Sequence, residues 1–139
     1  MSKFNRDSVA QFYGEHQGKP FYPTLEEFVT SDVCIGMELA SNGAIAGWRD
    51  YIGPTNSATA KAEKPGSLRA IFGTDGTKNA VHGSDSKESA ARETEFFFGG
   101  RFANRMMKTT AVINNCTLCL IKPHILKSGL AGQVIDMIL

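Results

Sequence analysis

The chain has 139 residues, of which 42% are hydrophobic and 21% charged, and its formal net charge is +1. This composition predicts one folded domain and excludes a disordered tail, which combines low hydrophobicity with high net charge. The near-neutral balance argues against a nucleic-acid or membrane-surface binder, because such proteins usually carry a large basic excess.

The sequence predicts a cytoplasmic protein without a membrane partner. It has no run of about 18 apolar residues that would span a bilayer. Its N-terminal residues include the charged Arg6, Asp7 and Glu15 where a secretory signal would carry its apolar stretch. The three cysteines, an odd and sparse set, are expected to be reduced thiols.

Apolar residues at helical or strand spacing, set between start and stop signals, divide the first half of the chain. The predicted elements are a helix at 8–15, a helix opened by a capping box at Thr24-Leu-Glu-Glu27, a strand at 33–39, and a helix at 45–52 that Gly53-Pro54 ends. The polar stretch 55–77 is predicted to be a long loop.

The second half repeats this alternation of elements. The predictions are a short strand at 79–82, a helix opened by Asp85-Ser-Lys-Glu88 that runs to Phe98, an apolar strand at 116–121, and an amphipathic helix at 128–139. The intervening residues 101–115 show little periodicity and are interpreted as a linker.

His82 has surroundings that indicate chemistry. It ends a short predicted strand within His-Gly-Ser-Asp-Ser, and Glu93 follows eleven residues later on a predicted helix. An imidazole that a carboxylate orients suits nucleophilic phosphoryl transfer. Cations must also meet the transferred phosphate, and Arg49, Arg69 and Lys122 are the candidates. The alternative is a solvated arginine face beside an ordinary histidine.

Three further patterns leave alternatives open. Cys116-Thr-Leu-Cys119 has zinc or redox spacing, but its apolar setting favours buried strand cysteines. The glycine-rich stretch 73–78 does not fit a phosphate-binding loop and is interpreted as a turn. Tyr13 and Phe21 are either core residues or surface aromatics able to stack on a base.

Several stretches together resemble the nucleoside diphosphate kinase family in order and spacing across residues 12–98. They are Tyr13-Gly-Glu-His-Gln-Gly-Lys-Pro-Phe21, Trp48-Arg49 with Gly53-Pro-Thr-Asn56, Pro65-Gly-Ser-Leu-Arg69, and Asn79-Ala-Val-His82-Gly-Ser-Asp-Ser86 with Glu88-Ser-Ala-Ala-Arg-Glu93. The resemblance implies an α/β (α+β) fold, a ferredoxin-like sandwich with an antiparallel sheet.

The resemblance also implies a ping-pong kinase. ATP or another nucleoside triphosphate phosphorylates His82, and the phosphohistidine passes the group to a nucleoside diphosphate. Ser84 and Glu93 are implied to support His82, Phe21 to stack on the base, and Mg²⁺ to bridge the phosphates without dedicated protein ligands. The residues implied to contact phosphates and sugar are Tyr13, Arg49, Thr55, Arg69 and Asn79.

The chain departs from the family pattern at its beginning. The family's first strand, which carries Lys-Pro, and the helix and strand after it are absent before Tyr13. Instead, residues 117–124, which include Lys122-Pro123-His124, resemble that strand placed after the domain. This order resembles the tandem-domain members associated with ciliary microtubules. It implies a partial kinase domain at 1–98, a linker at 99–115, and the strand and helix of a following or permuted kinase domain at 116–139.

The family's first strand lies between two others, so the strands at 33–39 and 79–83 would lack a joining partner without it. We expect residues 116–122 to fill this slot, either within the chain as a circular permutant or by exchange with another copy, and Lys122 to restore the family's phosphate lysine. The alternative is that residues 116–139 dangle or meet an outside partner.

Two functions therefore stand at this point. The intact polar set around His82 favours a nucleotide-metabolising enzyme, because a structural role gives no reason to keep these groups together. The missing N-terminal portion favours a catalytically weak, kinase-derived structural protein of a ciliary or flagellar axoneme, with tubulin or axonemal partners. A homo-oligomer is compatible with either function.

Overall fold

The computed structural model describes residues 1–99 and 116–139, so the predicted linker lies outside the described residues except for Gly99. These ranges contain four strands and eight α-helices, with one 3-10 turn at Gly14–His16. The strands are β1 (Ser2–Lys3), β2 (Val33–Ala40), β3 (Val81–Gly83) and β4 (Cys116–Ile121). The helices are α1 (Arg6–Phe12), α2 (Tyr22–Thr30), α3 (Ala44–Ile52), α4 (Ser57–Glu63), α5 (Leu68–Phe72), α6 (Lys87–Phe98), α7 (Pro123–Lys127) and α8 (Ala131–Ile138).

The strands form one antiparallel sheet in the order β1-β2-β4-β3. β4 pairs with β2 from Ile35 opposite Ile121 to Ala40 opposite Cys116. On its other side β4 pairs with β3, where His82 lies opposite Leu120. The last strand in the sequence is therefore a central strand of the sheet, in the slot where the sequence predicted it.

Alternation along β4 places its side chains in two separate hydrophobic clusters. Leu118 and Leu120 pack with α1, α2 and the aromatic end of α6. Cys119 and Ile121 point to the opposite face and pack with residues of α3, α5, α7 and α8. Because successive strand residues face opposite sides, a strand with both faces covered is apolar throughout, as the run Leu118 to Ile121 is.

Aromatic rings tie the short N-terminal strand to helix α6. Phe4 stacks on Phe96 with 5.7 Å between the ring centroids, and it meets Phe12 and Phe97 edge-to-face at the same separation. These contacts hold β1 and α1 against the sheet. The two-residue β1 was not predicted, because so short a strand shows no periodicity.

The predicted loop at 55–77 is wrong in part, because it contains the two short helices α4 and α5. Asn56 caps α4 by accepting hydrogen bonds from the backbone N–H groups of Ala58 and Thr59. Ser67 caps α5 by accepting one from the N–H of Ala70. Helices this short lack the repeated apolar stripe from which a helix is predicted.

Three predicted helix starts are also corrected. α2 begins at Tyr22 with Pro23 in its first turn, so the capping box at Thr24 does not form. α6 is capped by Ser86, whose hydroxyl accepts from Ser89, and not by Asp85. The helix predicted at 128–139 begins only at Ala131, as α8, and Gly129, with a φ of 71°, separates it from the unpredicted α7.

Gly83 is expected to tolerate no side chain, because a Cβ there would lie 2.5 Å from Cδ1 of Trp48. We expect Gly83→Ala to destabilise the fold by about 1–3 kcal/mol through overpacking. Urea unfolding followed by circular dichroism measures this change. Gly47→Ala on α3 is the control, since nothing lies within 4 Å of its Cβ. Equal effects of the two substitutions would contradict the prediction.

Candidate active site

His82 lies on β3 directly after a turn with unusual backbone geometry. Ala80 is fully buried with a φ of 68°, and the N–H of Val81 donates to the carbonyl of Asn79 two residues earlier at 2.8 Å. This three-residue turn is strained for a residue other than glycine. The N–H of Lys122 in turn donates to the Ala80 carbonyl at 2.9 Å. This tertiary contact from the end of β4 thus stabilises the turn that positions His82.

A buried carboxylate orients the His82 ring. Nε2 of His82 lies 2.8 Å from Oε2 of Glu93, and the Ser84 hydroxyl donates to the same oxygen at 2.7 Å. The Glu93 side chain is only 3% exposed, whereas that of His82 is 21% exposed. Glu93 therefore uses one oxygen to hold both the imidazole and the hydroxyl.

The hydroxyl of Ser84 connects this network to the central strand, because it accepts a hydrogen bond from the Leu118 N–H at 3.2 Å. The other ring nitrogen of His82, Nδ1, has no hydrogen-bond partner within residues 1–99 and 116–139. Since Nε2 is committed to Glu93, Nδ1 is the nitrogen available to a ligand.

Arg69 is a buried cation whose guanidinium is held by backbone carbonyls. It donates from Nη1 to the Gly53 carbonyl at 2.8 Å, and from Nε and Nη2 to the Val81 carbonyl. A weaker bond from Nη1 reaches the Thr55 hydroxyl at 3.4 Å. Burial, reinforced by the charge of nearby Arg49, lowers the pKa of Arg69 to about 10. Arg69 still carries a full charge at neutral pH and is fixed in one orientation.

Lys122 and Asn79 form a second polar pair at the end of β4. The ammonium group of Lys122 donates to Oδ1 of Asn79 at 2.6 Å and to the Thr77 carbonyl at 2.9 Å. The Asn79 amide donates to the carbonyls of Thr55 and Gly76. Both partners of the ammonium are neutral oxygens, so its charge has no bonded anion among the described residues.

The pKa of Lys122 falls to about 7, first because of burial and then because of the positive charge of Arg69. Between pH 7 and 10 the unfolded chain therefore binds a proton on this amine that the folded protein does not bind. Wild-type stability should rise with pH in this window by at most about 1.4 kcal/mol per unit relative to Lys122→Met.

Urea unfolding of the wild type and of Lys122→Met at pH 7, 8.5 and 10 measures this difference. Lys64→Met is the control, because Lys64 is a partly exposed lysine paired with Asp50. A stability difference between wild type and Lys122→Met that does not change with pH would contradict the prediction.

Aromatic residues form one wall of the site. Tyr13 meets the His82 ring edge-to-face at 6.0 Å and stacks on His16, which in turn contacts Phe21 edge-to-face at 5.6 Å. The Tyr13 hydroxyl is buried and has no hydrogen-bond partner in the described part of the chain, and burial raises the pKa of this phenol. Phe21 is about half exposed.

These elements enclose a cleft of about 320 Å³. Nine of the ten site residues predicted from the sequence line it, namely Tyr13, Phe21, Arg49, Thr55, Arg69, Asn79, His82, Glu93 and Lys122. Ser84, the tenth, lies behind the cleft against Glu93. The structure therefore brings the predicted residues together, while their chemical roles stay predictions.

The residues that line the cleft without having been predicted are Glu15, His16, Leu25, Gly76, Thr77, Gly83 and Asp85. Of these, Glu15 and His16 lie on the 3-10 turn. Nδ1 of His16 lies 3.1 Å from the ammonium of Lys19, and Nε2 lies 3.8 Å from a Glu15 oxygen. The signal that could have indicated Glu15 and His16 is their position in the sequence between Tyr13 and Phe21, which lie in the same wall of the cleft.

The cysteines do not form part of a metal site in the described part of the chain. No group of three or more His, Cys, Asp or Glu side chains there is placed to hold an ion. Burial raises the pKa of Cys34 and of Cys119 to about 12. Their thiols are therefore protonated near neutral pH.

Among the described residues, no helix is long and apolar enough to cross a bilayer.

Residues 1–102 match the model of the family described as nucleoside diphosphate kinase. The chain is 46% identical to rat nucleoside diphosphate kinase homolog 7 over an alignment that covers 97% of this chain and 34% of the rat protein. It is 52% identical to the nucleoside diphosphate kinase of Desulfotalea psychrophila, with 64% of this chain and 63% of that protein aligned. The chain thus spans about a third of the length of the rat relative.

The crystal structure of the Aquifex aeolicus nucleoside diphosphate kinase superposes with a TM-score of 0.63 and 38% identity. The superposition covers 71% of this chain and 70% of that one. Its ferredoxin-like α/β fold agrees with the antiparallel four-stranded sheet described above. The chain belongs to the nucleoside diphosphate kinase family.

Proposed function

We propose that this chain transfers the γ-phosphate of a nucleoside triphosphate to a nucleoside diphosphate through a phosphohistidine on His82. The observation that carries the proposal is the bond between Nε2 of His82 and buried Glu93, which leaves Nδ1 as the free nitrogen at the cleft. An imidazole nitrogen oriented by a carboxylate is a nucleophile poised for covalent catalysis.

In the first half-reaction the Nδ1 lone pair attacks the γ-phosphorus, and the bond to the bridging oxygen breaks to release a nucleoside diphosphate. The Nε2 proton stays on the ring, hydrogen-bonded to Glu93. The carboxylate therefore stabilises the positive charge that the ring acquires on phosphorylation. The second half-reaction reverses these steps with a different nucleoside diphosphate as acceptor.

Two arginines and, in its protonated form, Lys122 are available to the phosphates in this proposal. Arg69 and Lys122 are buried and fixed by carbonyl and amide oxygens. Within residues 1–99 and 116–139, Arg49 makes one long bond of 3.5 Å, to the Gly83 carbonyl, which leaves most of its donors for a ligand. Phosphoryl transfer depends mainly on positioning and charge stabilisation, which these groups supply.

Asn79, Thr55 and the Tyr13 hydroxyl complete the proposed polar contacts. The Tyr13 hydroxyl is buried in the cleft wall and has no partner among the described residues, as expected of a group that awaits a ligand oxygen. Phe21 offers an exposed aromatic face on which any base is able to stack. Stacking discriminates weakly between bases and suits an enzyme that accepts several nucleotides.

Mg²⁺ fits this arrangement as an ion carried mainly by the nucleotide. It usually keeps several waters and binds phosphates with one or two carboxylates. Glu15 and Asp85 line the cleft and would face that water shell. The ion would neutralise phosphate charge during transfer.

We also propose a division of the chain into domains, which rests on the position of Lys122 at the end of β4. Residues 1–98 form part of a kinase domain, and residues 116–139 supply the strand and helix of a following or permuted one, joined through 99–115. The support is that the site needs β4: Lys122 reaches Asn79, and the Leu118 N–H reaches Ser84.

Labelling with [γ-³²P]ATP and Mg²⁺ tests the function. The full chain should acquire label that is lost in acid but stable in base, as a phosphohistidine is, and an added nucleoside diphosphate should then carry the label away as triphosphate. Circular dichroism verifies folding of the same sample. A folded chain that takes no label would reject the proposal and favour a structural role.

A further inference from the structure

Arg92, on α6 directly before Glu93, lies between two carboxylates of the cleft wall. Its Nη2 is 3.7 Å from Oε1 of Glu93 and 3.6 Å from Oε2 of Glu15. The Arg92 side chain is 48% exposed, and it is absent from the lining of the cleft itself. Its guanidinium therefore acts on the site from outside, through the two acidic residues.

The bond pattern of Glu93 shows why this cation matters. Oε2 accepts the two short hydrogen bonds from His82 and Ser84, and Oε1 faces Arg92. Arg92 is the permanently charged partner of this buried carboxylate among the ion pairs of the described residues. A buried carboxylate without a cation is costly and is readily protonated.

Arg92 also connects two elements that are far apart in the sequence. Glu15 belongs to the 3-10 turn, which begins directly after Tyr13 and carries His16 into the cleft lining. Glu93 belongs to α6. One guanidinium therefore ties the aromatic wall of the cleft to the residue that orients His82.

We infer that Arg92 is a positioning residue for phosphoryl transfer, which holds Glu93 against His82 and fixes the 3-10 turn beside it. This inference rests on the proposed function. Arg92→Gln removes the charge while keeping a polar side chain of similar reach. It should slow phosphorylation of His82 by about 3- to 10-fold, the range expected for a partly exposed ion pair.

A conservative variant separates positioning from a general loss of stability. Arg92→Lys restores the positive charge beside Glu93 and should return the phosphorylation rate toward that of the wild type. Glu15→Gln removes the other carboxylate that Arg92 contacts and should also slow the reaction. Urea unfolding of each variant shows whether a slower rate accompanies a loss of stability.

The experiment is single-turnover phosphorylation of the full chain by [γ-³²P]ATP. Arg6→Gln is the matched control, because Arg6 pairs with Glu26 on the surface. A wild-type chain without acid-labile label would refute the proposed function itself. A labelled wild type with an Arg92→Gln variant of equal rate, or a slow Arg92→Gln variant that Arg92→Lys does not rescue, would refute only the role of Arg92.

Discussion

His82→Ala should abolish the acid-labile phosphoenzyme and reduce nucleoside diphosphate phosphorylation by at least about 10³-fold. The imidazole is the nucleophile of the proposed reaction, and the other histidine among the described residues that line the cleft, His16, contacts Lys19 and Glu15. Ser84 and Glu93, which remain, are positioned to orient a ring and not to replace it. The label per chain and the initial rate with ATP and an unlabelled diphosphate measure this effect.

His124→Gln is the matched control for this substitution. His124 lies on α7, where its ring contacts Phe28, and it is outside the lining of the cleft. We expect this variant to take label like the wild type. Label that persists in His82→Ala, or that disappears equally in both variants, would show that His82 is not the phosphate carrier.

Leu120→Ala should destabilise the protein by about 2–5 kcal/mol, the cost of truncating a fully buried leucine that leaves a cavity. Leu120 lies opposite His82 in the β3–β4 ladder and is completely buried in the core. The free energy of unfolding in urea gives the effect, and Ile71→Ala is the control. Ile71 is half exposed, so its truncation should change stability by less than about 0.5 kcal/mol.

The Leu120 result tests the placement of β4 in the sheet. If residues 116–139 dangled or bound an outside partner, truncation of Leu120 would cost no more than truncation of Ile71. A loss of several kcal/mol in the free energy of unfolding of the purified chain agrees with a central β4. The strand is then supplied either by the same molecule or by a second copy of the chain. Sedimentation measurements at two protein concentrations distinguish these two sources.

Elements with clear local signals were predictable. The alternating and continuous apolar runs gave β2 and β4, the spacing of Ile45, Trp48 and Ile52 gave α3, and Gly53 ends that helix as expected. Short elements were not predictable, because α4 and α5 are only seven and five residues long. The turn at Ala80 escaped prediction because its strained backbone is held by the Lys122 N–H, a contact between residues 42 positions apart.

The candidate site likewise has features that the sequence predicted and features that it did not. The motif residues between Tyr13 and Glu93 determined the family and nominated the groups around His82. The sequence does not show that Glu93 commits one oxygen to two donors, that Lys122 is buried among neutral oxygens, or that Arg92 spans two carboxylates. These relations depend on side-chain positions set by the packing of α6 and β4.

Composition and motif spacing are local properties of the chain, and they were enough to predict a folded domain and its family and to nominate the residues now proposed for phosphate chemistry. The resemblance offered a central slot for residues 116–122 but left open the alternative that they dangle, and the packed sheet resolves this, since strand pairing joins segments that are distant in sequence. That pairing completes the cleft with Lys122, and it explains how a chain of near-neutral charge gathers cations at one site.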